Sequence, residues 1–507
     1  MDKRNSRGLA TITRTCLPTL LIIIGIIFSS RGISSERSPL VEARIELYEA
    51  WIDALMRTYE LPGVSVGIVH DDELVYTKGF GYSDLTEKSP ATAETVYSVA
   101  SISKLFTSIG IMQLVEREII SLDDPVVNFI PELRQLRSDA KDVESISIRS
   151  ILRHTSGLPT NNIYLLEPTS PVIDNLEKIL EGFDKQELLH TPDAREHYSN
   201  LAMSLGGIVI QRVSKKEYGL YVKEQILDPL GMASSTFDDS SVTNKAIGYS
   251  RNTSIGRIPN EFVQMGDAIG NPAAGLKSNI QDLARFVTWH FETLEGKTSS
   301  VIASETLANM QSIHWAQLPI VLPSFLQSAA NNMSNALDIG GVGLGYFRAG
   351  KFVRHSGGFN GFNAEFLMDN ENKIGIVVLA NSSDAPTSWD AASSISLNLY
   401  EIVASAFINS LEPLSNSYSE YQQIYTDRHY FNFYAMPFEG GLTLIDLNSN
   451  KPLSSPIKLV PHDEPGSFHA PDHRGFYQGE FNVQFLRDAN SHVDSMILQN
   501  TVLYPSN

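Results

Sequence analysis

Cysteine is nearly absent: the 507 residues include one, Cys16. No intramolecular disulfide, cysteine-based zinc cluster or paired-thiol redox motif can form. Basic residues are in short supply, with 39 Lys and Arg against 58 Asp and Glu, for a net charge of −19. Nucleic acid is therefore a poor main partner, because phosphate binding needs a basic footprint. No glycine-rich loop follows a strand pattern in the way a nucleotide phosphate requires. No internal repeat stands out. Apolar residues are 42% and charged residues 19%. That composition is globular and excludes a disordered, collagen-like or polytopic membrane chain. The length suggests about three units.

An apolar run, Leu17 to Phe28, broken only by Pro18, Thr19 and Gly25, follows Lys3, Arg4, Arg7 and Arg14 and precedes Ser29, Ser30, Arg31 and Gly32. A basic head, a short apolar middle and a small-residue tail are the order of an export signal. The run is shorter than the roughly 20 residues that comfortably span a bilayer. Residues 1–32 are read as a signal peptide or N-terminal membrane anchor, and the protein as exported: periplasmic or extracellular, free or anchored by residues 17–30. These 32 residues carry five basic side chains and one acidic, so the rest stands at −23. With Cys16 removed in a cleaved leader, no thiol nucleophile remains.

From Val41 to Tyr59, Ile45, Tyr48, Ile52, Leu55 and Tyr59 recur at three- and four-residue steps, which predicts an amphipathic helix stopped by Leu61-Pro62-Gly63. Val64–Val69 and Leu74–Tyr76 read as strands around a turn at Asp71-Asp72. A second helix is expected from Ser101 to about Glu118. Residues 120–290 are mostly helical in pattern. Lys351–His355, Asn363–Met368 and Lys373–Leu379 read as an antiparallel meander. Strands from both ends with helices between predict one sheet built from distant segments: an α/β (α+β) architecture with an inserted helical region. After about residue 410, alternating segments rich in Tyr and Phe (428–447 and 457–500) predict a small C-terminal β domain. The domains are thus 1–32, 36–410 and 411–507. The aromatics Tyr425, Tyr430, Phe431, Phe433 and Tyr434 fit a half-buried strand.

Ser101-Ile102-Ser103-Lys104 opens the second helix. Residues three apart share a helix face, so Lys104 is expected beside Ser101. A serine attacks a carbonyl only with a proton acceptor nearby, and a lysine serves when burial or neighbouring charge lowers its pKa. Tyr198-Ser199-Asn200 opens another helical run, with Ser199 or Asn200 as its cap. Its phenol can relay a proton, and its amide can hold a lysine or a carbonyl. His355-Ser356-Gly357-Gly358 ends a strand, and glycine there lets the backbone approach a ligand.

The ordered set Ser101-x-x-Lys104, Tyr198-x-Asn200 and His355-x-Gly357 resembles the three motifs of the serine hydrolases related to class C β-lactamases and penicillin-binding proteins. Leu152-Arg153-His154-Thr155-Ser156-Gly157-Leu158, Pro229-Leu230-Gly231-Met232, Ala274-Gly275-Leu276-Lys277-Ser278 and Leu122-Asp123-Asp124-Pro125 extend the resemblance over about residues 36–400. It implies a β-lactamase/transpeptidase-like antiparallel sheet flanked by helices. Ser101 would be the acylated nucleophile. Lys104 and Tyr198 would share acid–base work, in an order left open. The N–H groups of Ser101 and Gly358 would form an oxyanion hole. Asn200, His355, Ser356 and Gly357 would bind substrate, with Asn200 holding either Lys104 or the substrate and His355 lining the pocket on the sheet edge. No metal and no cofactor is implied; the partner is a small-molecule or peptide-like ester or amide.

The chain departs from that pattern at its third motif. β-Lactamases and many penicillin-binding proteins carry a lysine where this chain has His355, and that lysine supplies charge for a substrate carboxylate. Neutral imidazole supplies much less. The expectation is an ester- or amide-cleaving enzyme that is a poor β-lactamase. The alternatives are a D-alanyl-D-alanine carboxypeptidase or β-lactamase, and a catalytically inactive binding or scaffold protein of the same fold. Three weaker features complete the reading. His154 reads as part of a structural turn. His462, His469 and His473 read as a solvated loop in preference to a metal site. Asn252, Asn332 and Asn381 begin Asn-x-Ser/Thr triplets.

Overall fold

A computed structural model describes residues 38–138, 142–162, 175–238, 240, 242–250, 252–253, 256–259, 272–317, 340–382, 391–408, 416–427, 431–438, 441–474, 480–499 and 501–506. The leader segment lies outside them, as do Tyr430 and Asn332. Among the described residues no helix is long and apolar enough to cross a membrane. Residues Pro39–Asn507 form one compact unit.

The expected first helix is α1, Pro39–Tyr59. It leads into β1 (Gly63–His70) and β2 (Glu73–Asp84), a hairpin turned at Asp71 with φ 57°. Two short pieces follow, β3 (Ser89–Pro90) and β4 (Tyr97–Ser98). Much later come β5 (Lys277–Ser278), β6 (Trp315–Gln317), β7 (Gly340–Val342), β8 (Phe347–Ala349), β9 (Phe352–Phe359), β10 (Phe362–Asp369) and β11 (Ile374–Ala380). The sheet order is β3-β2-β1-β11-β10-β9-β8-β7-β6, antiparallel throughout. The N-terminal hairpin therefore joins the late meander at β1–β11, with Val66 opposite Val378. Strands buried on both faces read as near-continuous apolar runs, and β1, β10 and β11 do so for that reason.

One sheet face packs Val64, Val66, Ile376 and Val378 on α1. The other packs Ala364, Phe366 and Val377 on the helical region, where α2 (Ser103–Glu116), α3 (Ile148–Leu152), α4 (Asn200–Ser214), α5 (Tyr218–Val222) and α6 (Ile280–Leu294) lie. Phe106 of α2 stacks on Phe286 of α6 with centroids 4.5 Å apart. In the helical-pattern region, the described residues between 120 and 190 form short 3₁₀ turns such as Val126–Asn128 and Pro131–Gln135 beside the five-residue α3. Leu122, Val126, Ile130 and Leu133 keep helical spacing and are buried. Pro125 and Pro131 interrupt the i→i−4 ladder, so the periodicity survives while the helix does not.

The C-terminal segments close an eight-stranded barrel: β12 (Gln423–Thr426), β13 (Asn432–Phe438), β14 (Gly441–Asp446), β15 (Ile457–Pro461), β16 (Ser467–Arg474), β17 (Glu480–Arg487), β18 (Val493–Leu498) and β19 (Thr501–Pro505). Pairing of β12 with β19 removes the free edges. Alternation sends Phe433, Ala435, Leu442 and Leu444 inward beside Tyr425 and Phe485. It sends Tyr434, Met436, Phe438 and Ile445 outward against α1. The expected half-buried strand is thus buried on both sides. Trp51 of α1 donates its indole N–H to Ser449 O at 2.9 Å, and Tyr434 donates to Glu46 at 3.0 Å.

Candidate active site

Ser101 does not open a regular helix. It sits in a 3₁₀ turn, Ala100–Ile102, that runs directly into α2. Ala100 holds φ 45°, a left-handed conformation that costs an alanine energy and persists only when its surroundings enforce it. Those surroundings are the 276–278 segment. Tyr97 pairs with Ser278, Val99 N–H donates to Leu276 O at 3.1 Å, and Ser103 Oγ accepts from Leu276 N–H at 2.9 Å while donating to Ala100 O at 2.6 Å. The same stretch receives the lysine. Lys104 is fully buried, with Nζ 3.0 Å from Ser101 Oγ and 2.7 Å from Ala273 O. Burial alone lowers its pKa well below the usual lysine value.

Tyr198 lies on the other side of this pair. Burial pushes the pKa of its hydroxyl up to about 12, with the Ser101 side chain acting weakly in the opposite direction. Its ring has Lys104 Nζ 4.9 Å from the centroid. Tyr198 is fixed by its neighbours. Ser199 caps α4, accepting from Ala202 N–H at 2.9 Å and donating to Pro159 O at 2.6 Å. Ser199 N–H donates to His154 Nδ1 at 3.2 Å, and the His154 ring packs on Tyr198 with centroids 4.4 Å apart. His154, in a turn with φ 59°, is 1% exposed. Burial, followed by the nearby Lys104, lowers its pKa well below the normal histidine value. The expected structural turn therefore also supports a site residue. Asn200 sits at the start of α4, where its amide donates to Asn161 Oδ1 at 2.9 Å. The hydrogen bonds of Lys104 go to Ser101 and Ala273, so Asn200 does not take the lysine as its partner.

The third motif lies inside β9, which continues to Phe359, and does not end it. A Cβ on Gly357 would lie 2.2 Å from Val99 O and 3.1 Å from Ser101 N. Only glycine lets this strand lie so close to the nucleophile turn. Gly358, next along, is exposed, and Ser356 is half-buried. His355 differs from expectation. The pairing of β9 with β8 stops at Arg354, so His355 begins a stretch of β9 that β8 does not cover, yet its side chain is buried, 2% exposed. Its Nδ1 donates to Ser356 O at 2.7 Å, and its buried Nε2 has no hydrogen-bond partner. Burial and then the nearby Lys104 hold its pKa down at about 3.

The structure thus brings Ser101, Lys104, Tyr198 and Gly357 together, and adds two elements that sequence reasoning missed. A backbone carbonyl, Ala273 O, carries no side-chain signal. Phe347, packed among Tyr198, His154 and His355, looks in sequence like any core aromatic. Elsewhere, Asn381 is fully buried, with its amide donating to Tyr82 O, Ser83 O and Ile247 O. It is closed to glycosylation, whereas Asn252 is exposed. His462 and His469 pack ring to ring at 5.8 Å, and among the described residues no group of three His, Cys, Asp or Glu could hold a metal ion.

The family profile described as Beta-lactamase matches residues 48–395. Protein flp of Staphylococcus aureus (strain MW2) is 27% identical over 330 residues, 63% of this chain and 60% of that protein. This chain therefore spans less than two thirds of that relative's length. The octameric penicillin-binding protein homologue from Pyrococcus abyssi superposes with TM-score 0.59 at 24% identity, over 90% of this chain and 99% of that one. EstCE1, a hydrolase with promiscuous acyltransferase activity, superposes with TM-score 0.56 at 20% identity, over 72% of this chain and 99% of its own. At these identities the two structures speak for the fold alone. The matched profile covers more than half of the sequence, and the chain belongs to the β-lactamase family of serine hydrolases.

Proposed function

We propose that this protein is an exported serine hydrolase that cleaves an ester or amide through an acyl-enzyme on Ser101. The observation that carries the reading is the buried Lys104 amine 3.0 Å from Ser101 Oγ. With its pKa lowered by burial, Lys104 is the general base that accepts the Ser101 proton. Ala273 O, which accepts one N–H of Lys104, keeps the amine aimed at Ser101. Tyr198, with its pKa raised, keeps its proton and returns one to the leaving group. Ser101 Oγ bonds to the substrate carbonyl carbon, the leaving group departs with a proton, and water then releases the acid and restores the hydroxyl. The N–H groups of Ser101 and Gly358 serve as the oxyanion hole, a role supported by the close approach of Gly357 to the nucleophile turn. Asn200 and Ser356 orient the substrate.

Residues 1–32 act as the export signal or anchor, 36–410 as the catalytic domain and 411–507 as the accessory domain. A neutral histidine at the third motif supports an ester or amide substrate over a β-lactam. The test is a panel of short esters, amides, a D-Ala-D-Ala peptide and a cephalosporin reporter on purified protein, with Ser101→Ala as control. Ester or amide turnover that needs Ser101 and outpaces the cephalosporin supports the proposal. A cephalosporin turned over as fast as a short-chain ester sinks the specificity. Failure of every substrate and of acylating probes favours the inactive scaffold.

A further inference from the structure

Relatives with a lysine at the third motif hold a substrate carboxylate there. In this chain the corresponding His355 is buried, 2% exposed, with Nδ1 donating to Ser356 O. The ring that stands between the third and second motifs is Phe347. Its centroid lies 5.2 Å from His355, nearly perpendicular at 72°, and 6.3 Å from Tyr198, nearly parallel at 29°. His154 stacks against it at 6.2 Å and 17°. Phe347 is half-buried, whereas His355 is buried.

The position of Phe347 is fixed from behind. Gly345 holds φ 87°, its N–H donates to Leu152 O at 2.9 Å, and a Cβ there would lie 2.2 Å from Ser108 Oγ on α2. Tyr346, just before β8, and His290, both fully buried, share a 2.7 Å hydrogen bond that ties this segment to α6. Leu344 N–H donates to Met310 O at 2.8 Å. A side chain held this way cannot swing aside at little cost, so it shapes the pocket.

We propose that Phe347, and not His355, is the specificity-determining residue on the sheet side of the site, and that it selects substrates with an uncharged, apolar leaving group where lysine-bearing relatives take a carboxylate. The inference rests on the Ser101 reading above. Desolvating a carboxylate against an aromatic face is unfavourable, whereas an aryl or alkyl group gains contact area there.

The test uses two esters with one acyl group, phenyl acetate and 3-carboxyphenyl acetate. Both pass through the same acetyl-enzyme, so their kcat/KM ratio reports only the leaving-group side. The wild type is expected to prefer phenyl acetate by about tenfold or more, and Phe347→Lys to shrink that ratio by about tenfold by adding a cation beside the carboxylate. Phe347→Ala is expected to cut the ratio of phenyl acetate to methyl acetate by about tenfold through loss of the aryl contact. Ratios within one preparation do not depend on the fraction folded. Ester hydrolysis that survives Ser101→Ala overturns the underlying reading and this one with it. Hydrolysis that needs Ser101 but keeps its ratios within twofold in both Phe347 variants overturns this proposal alone.

Discussion

Replacing Lys104 with methionine separates chemistry from stability. The amine is fully buried and donates to Ala273 O at 2.7 Å. Lys104→Met leaves that carbonyl without its donor, a cost of about 1–3 kcal/mol. It also removes an ionisable group from an apolar site and replaces it with a thioether chain of similar length, which offsets part of that cost. The net change in stability is expected to stay within about 2 kcal/mol. Loss of a general base costs about a hundredfold to ten-thousandfold in rate, or roughly 3–5 kcal/mol of transition-state stabilisation. The pH dependence adds a second signature. A lysine with a lowered pKa is an active base above that pKa, so the wild-type rate is lost as pH falls through it. The residual rate of Lys104→Met lacks that limb. In the unfolded chain a lysine holds its proton to about pH 10.4, so wild-type stability rises with pH between the native value and that one, and the variant loses the slope. The assay is kcat/KM for a short-chain ester across pH, paired with thermal melts. A variant that keeps more than a tenth of the wild-type rate, or keeps the wild-type acid limb, refutes the assignment of Lys104 as base.

Two further outcomes follow from the packing. Burial holds the pKa of His290 down at about 3, against about 6.5 in an unfolded chain. Its contribution to stability is complete above pH 6.5 and is lost as pH falls toward 3, amounting to about 2 kcal/mol already at pH 5; His290→Gln should flatten the fall of melting temperature between pH 7 and 4, and parallel melting curves for variant and wild type would contradict the argument. Gly357→Ala puts a Cβ 2.2 Å from Val99 O, so strand and nucleophile turn must part; a loss of about 1–3 kcal/mol and at least tenfold in kcat/KM is expected, and a variant unchanged in both calorimetry and rate would show that the close approach is not required.

What the sequence made legible was local or motif-bound. The α1 helix, the β1–β2 turn at Asp71, the meander and the Ser101–Lys104 pairing all follow from spacing of a few residues. Less legible was whatever depends on distant backbone. Ala273 O reaches Lys104 across 169 residues and has no residue type to betray it. Closure of the barrel joins β12 to β19, and alternation along a strand says nothing about its neighbour. The outward face of β13 looked solvent-bound because the apolar face of α1 that covers it lies almost four hundred residues earlier in the chain. The burial of His355 was hidden for the same reason: motif position suggests a pocket residue, while Phe347, supplied by another strand, covers it.

The central claim is that Ser101 is acylated. Intact-mass and peptide mass spectrometry after exposure to a fluorophosphonate probe tests it most directly. The account predicts one adduct per chain, on the peptide containing Ser101, absent in Ser101→Ala and slowed at least a hundredfold in Lys104→Met. An adduct on another residue, equal labelling of Ser101→Ala, or no labelling of an enzyme that still hydrolyses esters would contradict it.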